Sequence, residues 1–225
     1  MLYGFVTGNH YCAERAPDLA HYKIGLHCNT SSKAKTMRTS ENLEITLSCV
    51  AFLWAVYFVG MFLPLDLQSH GIRPRSVSGL QGLIFSPFLH AGWRHLLSNT
   101  LALAALLFFS LTFSRKLTLR AVIWIALLGG GATWLFGKPN TIHIGASGII
   151  FGLIGYLMTI GIFRGELMAL VISIAIAFYY GWALFSLFQV LPGVSWAGHF
   201  FGFLGGVSAA WLTRKTPKEG AVRSG

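Results

Sequence analysis

The chain has 225 residues, 54% of them hydrophobic and 11% charged, with a net charge of +10 and a mean hydropathy of +0.62. A globular domain carries about 25% charged residues, so this composition excludes an ordinary water-soluble fold. It points to an integral membrane protein whose basic residues orient it in the lipid bilayer, with no nucleic acid among its partners.

Residues 1–44 read as a basic cytoplasmic tail without the apolar core and cleavage site of a signal peptide. The tail holds His10, Cys12, His21, His27 and Cys28, a spacing that matches no common zinc site, so no metal and no cofactor are expected. The third cysteine, Cys49, completes no disulfide framework. Six apolar segments follow at about 45–65, 95–113, 119–136, 147–163, 167–188 and 196–212. Each is near the ~20 residues a membrane span requires, which predicts an all-α bundle of six transmembrane helices over 45–212. A basic tail, 213–225, closes the chain. Between the first two spans lies a long connection, 66–94, with an apolar stretch at 80–89 too short to cross a bilayer. Such a segment is expected to lie in the interface or half-embedded against the bundle.

With Arg120 assigned to the second loop, thirteen of the 17 Lys and Arg fall in the two tails and the second and fourth loops. The basic side faces the cytoplasm, which places both termini inside. On that topology three polar clusters reach similar depth below the outer surface. Ser147 opens the fourth span, His199 lies about a turn into the sixth, and His95 and Asn99 share one side of the second. Histidine and asparagine are costly among apolar helices, and function is a fair default for them.

Ser147 sits in Gly145-Ala146-Ser147-Gly148, where a short polar loop becomes a helix. Small neighbours let a substrate carbonyl approach, and a helix N-terminus offers unpaired N–H groups to a developing oxyanion. Gly148 and Gly152 on the fourth span, and Gly198, Gly202 and Gly206 on the sixth, recur every four residues. Such stripes let two backbones approach closely. Ser147 and His199 each lie beside one, so direct contact between them is plausible. A purely structural His199, bonded to a neighbouring helix, would fit the same pattern.

All seven acidic residues (Glu14, Asp18, Glu41, Glu44, Asp66, Glu166 and Glu219) lie in tails or at helix ends. A Ser-His-Asp triad, a paired-aspartate protease and a carboxylate proton relay are therefore disfavoured. A serine and a histidine remain, with further hydrogen-bond donors nearby.

Taken in order, His90-Ala-Gly-Trp-Arg-His95-Leu-Leu-Ser-Asn99, Gly145-Ala-Ser147-Gly148 and Gly198-His199-x-x-Gly202 resemble the motifs of the rhomboid family of intramembrane serine proteases. The resemblance covers about 45–212. It implies Ser147 as nucleophile, His199 as general base and then acid, and oxyanion donation by His95, Asn99 and the Ser147 backbone N–H. It also implies transmembrane protein substrates cleaved near small or helix-destabilising residues. A bacterial inner membrane suits the charge pattern, with the site toward the periplasm or exterior.

Two positions depart from the family pattern. Phe151 stands where a tyrosine often packs on the catalytic histidine, keeping the ring but not the hydroxyl, and Gly198 stands where alanine is often found. His90 and His143 each precede a motif and could hold a loop or line a water path. The competing readings are a non-catalytic protein of this fold that binds transmembrane helices, and a small transporter. The transporter is disfavoured by the missing carboxylates and by the lack of an internal repeat.

Overall fold

The computed structural model describes residues 20–165, 167–185, 187 and 194–214. The readings made above for residues 1–19 and for the tail from 215 onward lie outside the described residues. The chain divides into two units, Met1–Glu41 and Asn42–Gly225. In the first the backbone is helical from Ala20.

Six long helices are present among the described residues: α1 (Ala20–Phe62), α2 (Trp93–Phe113), α3 (Arg115–Phe136), α4 (Ser147–Arg164), α5 (Leu167–Phe185) and α6 (Trp196–Thr213). Two boundaries correct the sequence reading. Helix α1 begins well before residue 45, because from Leu26 to Val59 the chain holds neither glycine nor proline to stop it. Its end at Phe62 falls two residues before Pro64. Helix α3 starts at Arg115, where the Ser114 hydroxyl accepts the Leu117 N–H at 3.4 Å, so Arg120 belongs to the helix and not to a loop.

Five of the six helices, α1 (over Met37–Phe62) through α5, are long and apolar enough to cross a membrane. In α6, four glycines, His199 and Ser208 dilute the apolar content. Large side chains such as Phe178, Trp182, Leu101 and Ile174 are exposed on the outer faces of these helices, as lipid contact requires. The protein is a multi-pass membrane protein.

Helix α4 is the centre: eleven of its 18 residues are buried, against seven of 21 in α2. It packs most intimately on α6, then on α5, with α3 and α2 following. The α4–α6 contact is a backbone contact. A Cβ added to Gly202 would fall onto the Gly148 carbonyl, with the Gly148 Cα at 3.1 Å, and one added to Gly206 would fall onto the Gly152 carbonyl. Helix α3 joins the same seam through a π-helical turn, Ile125–Gly129, which brings Gly129 against Phe201 and Gly202 of α6.

The connection between α1 and α2 is ordered into short helical turns, Leu67–His70 and the apolar Val77–Phe88. Val77 and Ile84 are largely exposed, as a half-embedded segment would have them. Ile72 and His143 exchange backbone hydrogen bonds of 3.0 and 2.9 Å, fastening this connection to the loop before α4. Arg75 adds a second tie: its guanidinium donates to the Leu135 and Gly137 carbonyls that end α3.

Candidate active site

Ser147 is the first residue of α4, and it lines a cavity of about 40 Å³ with His143, Gly198 and Ser195. Four residues later on the same helix, Phe151 stacks on His199 with ring centroids 4.2 Å apart and planes 17° from parallel. Positions i and i+4 lie one above the other on a helix, so the His199 ring rests on the α4 face that also carries Ser147. The adjacent residues Gly148 and Gly198 are backbone neighbours: a Cβ on Gly148 would meet the Gly198 carbonyl at 3.5 Å. Among the described residues no hydrogen bond joins Ser147 Oγ to the His199 ring, and His199 Nδ1 is buried with no partner. Among the described residues no carboxylate contacts this imidazole, and the Phe151 ring stacks on it.

His95 and Asn99 of α2 stand beside the loop that leads into Ser147. Gly145 has φ +113°, a conformation that needs glycine, and a Cβ there would strike the His95 ring at 2.6 Å and approach Asn99 Nδ2 at 3.4 Å. The backbone leading into Ser147 thus runs directly beside these two side chains.

Asn99 is buried and held by His90. Its amide Nδ2 donates to His90 Nε2 at 3.0 Å, and the Ala146 N–H points at the same nitrogen from 3.5 Å. With Nε2 accepting, the neutral ring carries its proton on the buried Nδ1. That ring also lines a second cavity, of about 230 Å³, together with Tyr57, Asp66 and Gln68. Burial pushes the His90 pKa down to about 4, helped by the neighbouring His95 ring, while the Phe88 carbonyl offsets part of the effect. His90 therefore ties the start of α2 to the loop that delivers Ser147.

His143 ties that loop to α6. Its Nδ1 lies 2.6 Å from Ser195 Oγ and its Nε2 lies 3.0 Å from Thr141 Oγ1. Ser195 in turn caps α6, its hydroxyl oxygen accepting the Gly198 N–H at 3.1 Å. The sequence reading left His90 and His143 between several roles and did not single out Ser195. A serine just before an apolar helix and four residues before its histidine is an N-cap signal that could have found it.

The geometry brings together a serine and a histidine near the ends of tightly packed apolar helices, with amide and imidazole groups on the neighbouring helix. Comparison with known proteins agrees in class. A family model, "Rhomboid domain", matches residues 78–216, more than half of the chain. An uncharacterized protein of Mycobacterium tuberculosis is 42% identical over 176 residues, covering 74% of this chain and 72% of that protein. An uncharacterized protein of Mycobacterium leprae is 38% identical over 178 residues, 74% of this chain and 69% of its own length. Rhomboid-type serine protease 2 of Saccharomyces cerevisiae is 30% identical over 197 residues, 77% of this chain and 71% of that protein. The chain belongs to the rhomboid family.

Proposed function

We propose that this protein is an intramembrane serine endopeptidase that cleaves transmembrane segments of other membrane proteins through a Ser147–His199 dyad. The observation that carries the proposal is the Phe151–His199 stack, which sets the imidazole on the Ser147 face of α4 without a third, acidic residue. In this reading α6 is a sixth span, both termini are cytoplasmic, and the site opens toward the periplasmic or extracellular side.

The chemistry follows from the groups present. Ser147 Oγ attacks the scissile carbonyl and passes its proton to a His199 ring nitrogen. The resulting oxyanion lies among Asn99 Nδ2, the His95 ring and the Ser147 N–H, which, in the first turn of α4, has no intrahelical acceptor. Asn99 has two N–H groups; His90 engages one, which fixes the amide plane and leaves the other for the substrate. Collapse of the intermediate breaks the C–N bond as His199 returns its proton to the leaving amine. Water then hydrolyses the Ser147 ester with His199 again as base. A helix hides its carbonyls in hydrogen bonds, so the substrate must unwind locally before it can react.

Fluorophosphonate labelling of the detergent-purified protein tests the reading. Wild type is expected to label, and Ser147→Ala and His199→Ala are not. Absence of labelling in folded wild type would refute the proposal and favour a helix-binding protein without catalysis.

A further inference from the structure

The side chains of Thr141, His143 and Ser195 form one directed chain of hydrogen bonds. Thr141 Oγ1 donates to the Lys138 carbonyl at 2.6 Å, so it is free to accept from His143 Nε2–H. With its proton on Nε2, the neutral ring must accept at Nδ1, and the Ser195 hydroxyl is the donor there. Ser195 Oγ then accepts the Gly198 N–H, while the Ser195 carbonyl accepts the His199 N–H at 3.0 Å. Every member has a partner of the right polarity, and the chain runs from the loop before Ser147 to the turn that carries His199.

We infer that His143 is a positioning residue for the Ser147–His199 pair, acting through Ser195 to fasten the first turn of α6 to the loop that presents the nucleophile. The inference rests on the proposed serine-protease reading and assigns His143 no contact with substrate. Three further observations favour it. The His143 backbone is itself anchored, by its paired hydrogen bonds with Ile72. The neighbouring tie to the first turn of α6 is weak, since the Thr133 hydroxyl of α3 donates to the Gly129 carbonyl at 2.8 Å and reaches the Ala197 carbonyl only at 3.3 Å. Burial also holds the His143 pKa below its ordinary value, which keeps Nδ1 available as an acceptor at neutral pH. A histidine dyad with no carboxylate needs its orientation supplied by packing and by the backbone, and this link fixes the backbone.

The test uses the full chain in detergent, with the rate of fluorophosphonate labelling and the melting temperature measured on the same samples. In His143→Asn the amide oxygen takes the place of Nδ1 and can accept from Ser195. In His143→Gln the amide reaches Thr141 and fills the volume but leaves Ser195 unpaired. We expect His143→Ala and His143→Gln to label about tenfold more slowly, since small misplacements of reacting groups cost one to two powers of ten. His143→Asn should recover most of the wild-type rate, with melting temperatures alike across the set. The double variant His143→Ala with Ser195→Ala should label no more slowly than Ser195→Ala alone, because both remove one link. Wild-type labelling by His143→Gln, additive losses in the double variant, or a loss that follows the melting temperature and is not recovered by asparagine would each overturn the inference. Failure of folded wild type to label would instead remove the serine-protease reading, and the inference with it.

Discussion

The closest test of how this bundle holds its site is one methyl group at Gly202. An alanine there would place its Cβ on the Gly148 carbonyl, with the carbonyl carbon at 3.0 Å and the Cα at 3.1 Å. Ordinary van der Waals contact begins near 3.4 Å, and the carbonyl oxygen is nearer than either carbon, so α4 and α6 must part locally by roughly 1 Å. A shift of that size can cost about 10²-fold in rate when it falls between reacting groups, and here it falls between Gly148, which follows Ser147 directly, and Gly202, three residues after His199. Overpacking a close contact also destabilises by about 1–3 kcal/mol. Gly131→Ala is the matched control, because its Cβ would meet nothing within 4 Å; removing a glycine from an open helix position stabilises by roughly 0.5–1 kcal/mol. Melting temperatures of the two variants should therefore move in opposite directions from wild type, and only Gly202→Ala should label more slowly. If Gly202→Ala labels at the wild-type rate with an unchanged melting temperature, the glycine seam does not set the geometry of the site.

Phe151→Ala removes the ring beneath His199 and should slow labelling by more than tenfold, alongside a stability loss of about 3–5 kcal/mol for emptying a buried phenyl site. Phe151→Leu, which keeps apolar bulk without a flat ring, separates the two effects: wild-type labelling in that variant would dismiss a stacking role. Gly145→Ala combines a φ of +113° with a clash on His95, so both stability and labelling should fall, measured in the same pair of assays. The His90 ring, with a folded pKa of about 4 against an ordinary value of 6.5, makes stability depend on pH. Between those values the unfolded chain binds a proton that the folded chain does not. The stabilisation is therefore complete above pH 6.5 and is lost as pH falls toward 4. Melting temperatures recorded from pH 7.5 to 4.5 should decline toward acid, and the decline should be shallower in His90→Gln. Equal slopes would mean that His90 does not titrate between the two states.

What the sequence conveyed and what it hid divide along the range of the contacts. The glycines of α4 and α6 recur at four-residue spacing, so periodicity placed them on common faces, while Phe151, one helical turn from Ser147, was picked out by the family resemblance. Hydropathy located the apolar cores of the helices but not their ends. Helix α1 runs back to Ala20 through polar residues, and α3 begins with Arg115 and Lys116, because helix formation needs no apolar side chain where nothing breaks it. Helix α6 shows the opposite mismatch, its apolar content lowered by the small and polar residues that its packing and His199 demand. The bond between His143 and Ser195 joins residues 52 apart, and that from His90 to Ala146 spans 56. Those contacts depend on the path of two loops, which the Ile72–His143 pairing sets and no local pattern announces.

The links that were hidden also explain how a site without acidic residues can be held in place. Two neutral networks flank Ser147, one running from Asn99 through His90 to the Ala146 N–H, the other from Thr141 through His143 and Ser195 to the Gly198 N–H. Each joins a different helix, α2 or α6, to the same short loop. A carboxylate in either position would hold its partner more strongly, but it would leave a charge to be desolvated near the membrane, at a cost its pairing need not recover. Neutral imidazoles accept and donate in fixed directions without that cost, provided both stay unprotonated, and burial lowers the pKa of both His90 and His143. Acidification would turn His90 Nε2 into a donor facing the Asn99 amide N–H, whereas the Ser195 hydroxyl can rotate to accept from a protonated His143. The Asn99 arm should then loosen first, and labelling should fall at low pH through a loss of geometry before the fold itself is lost.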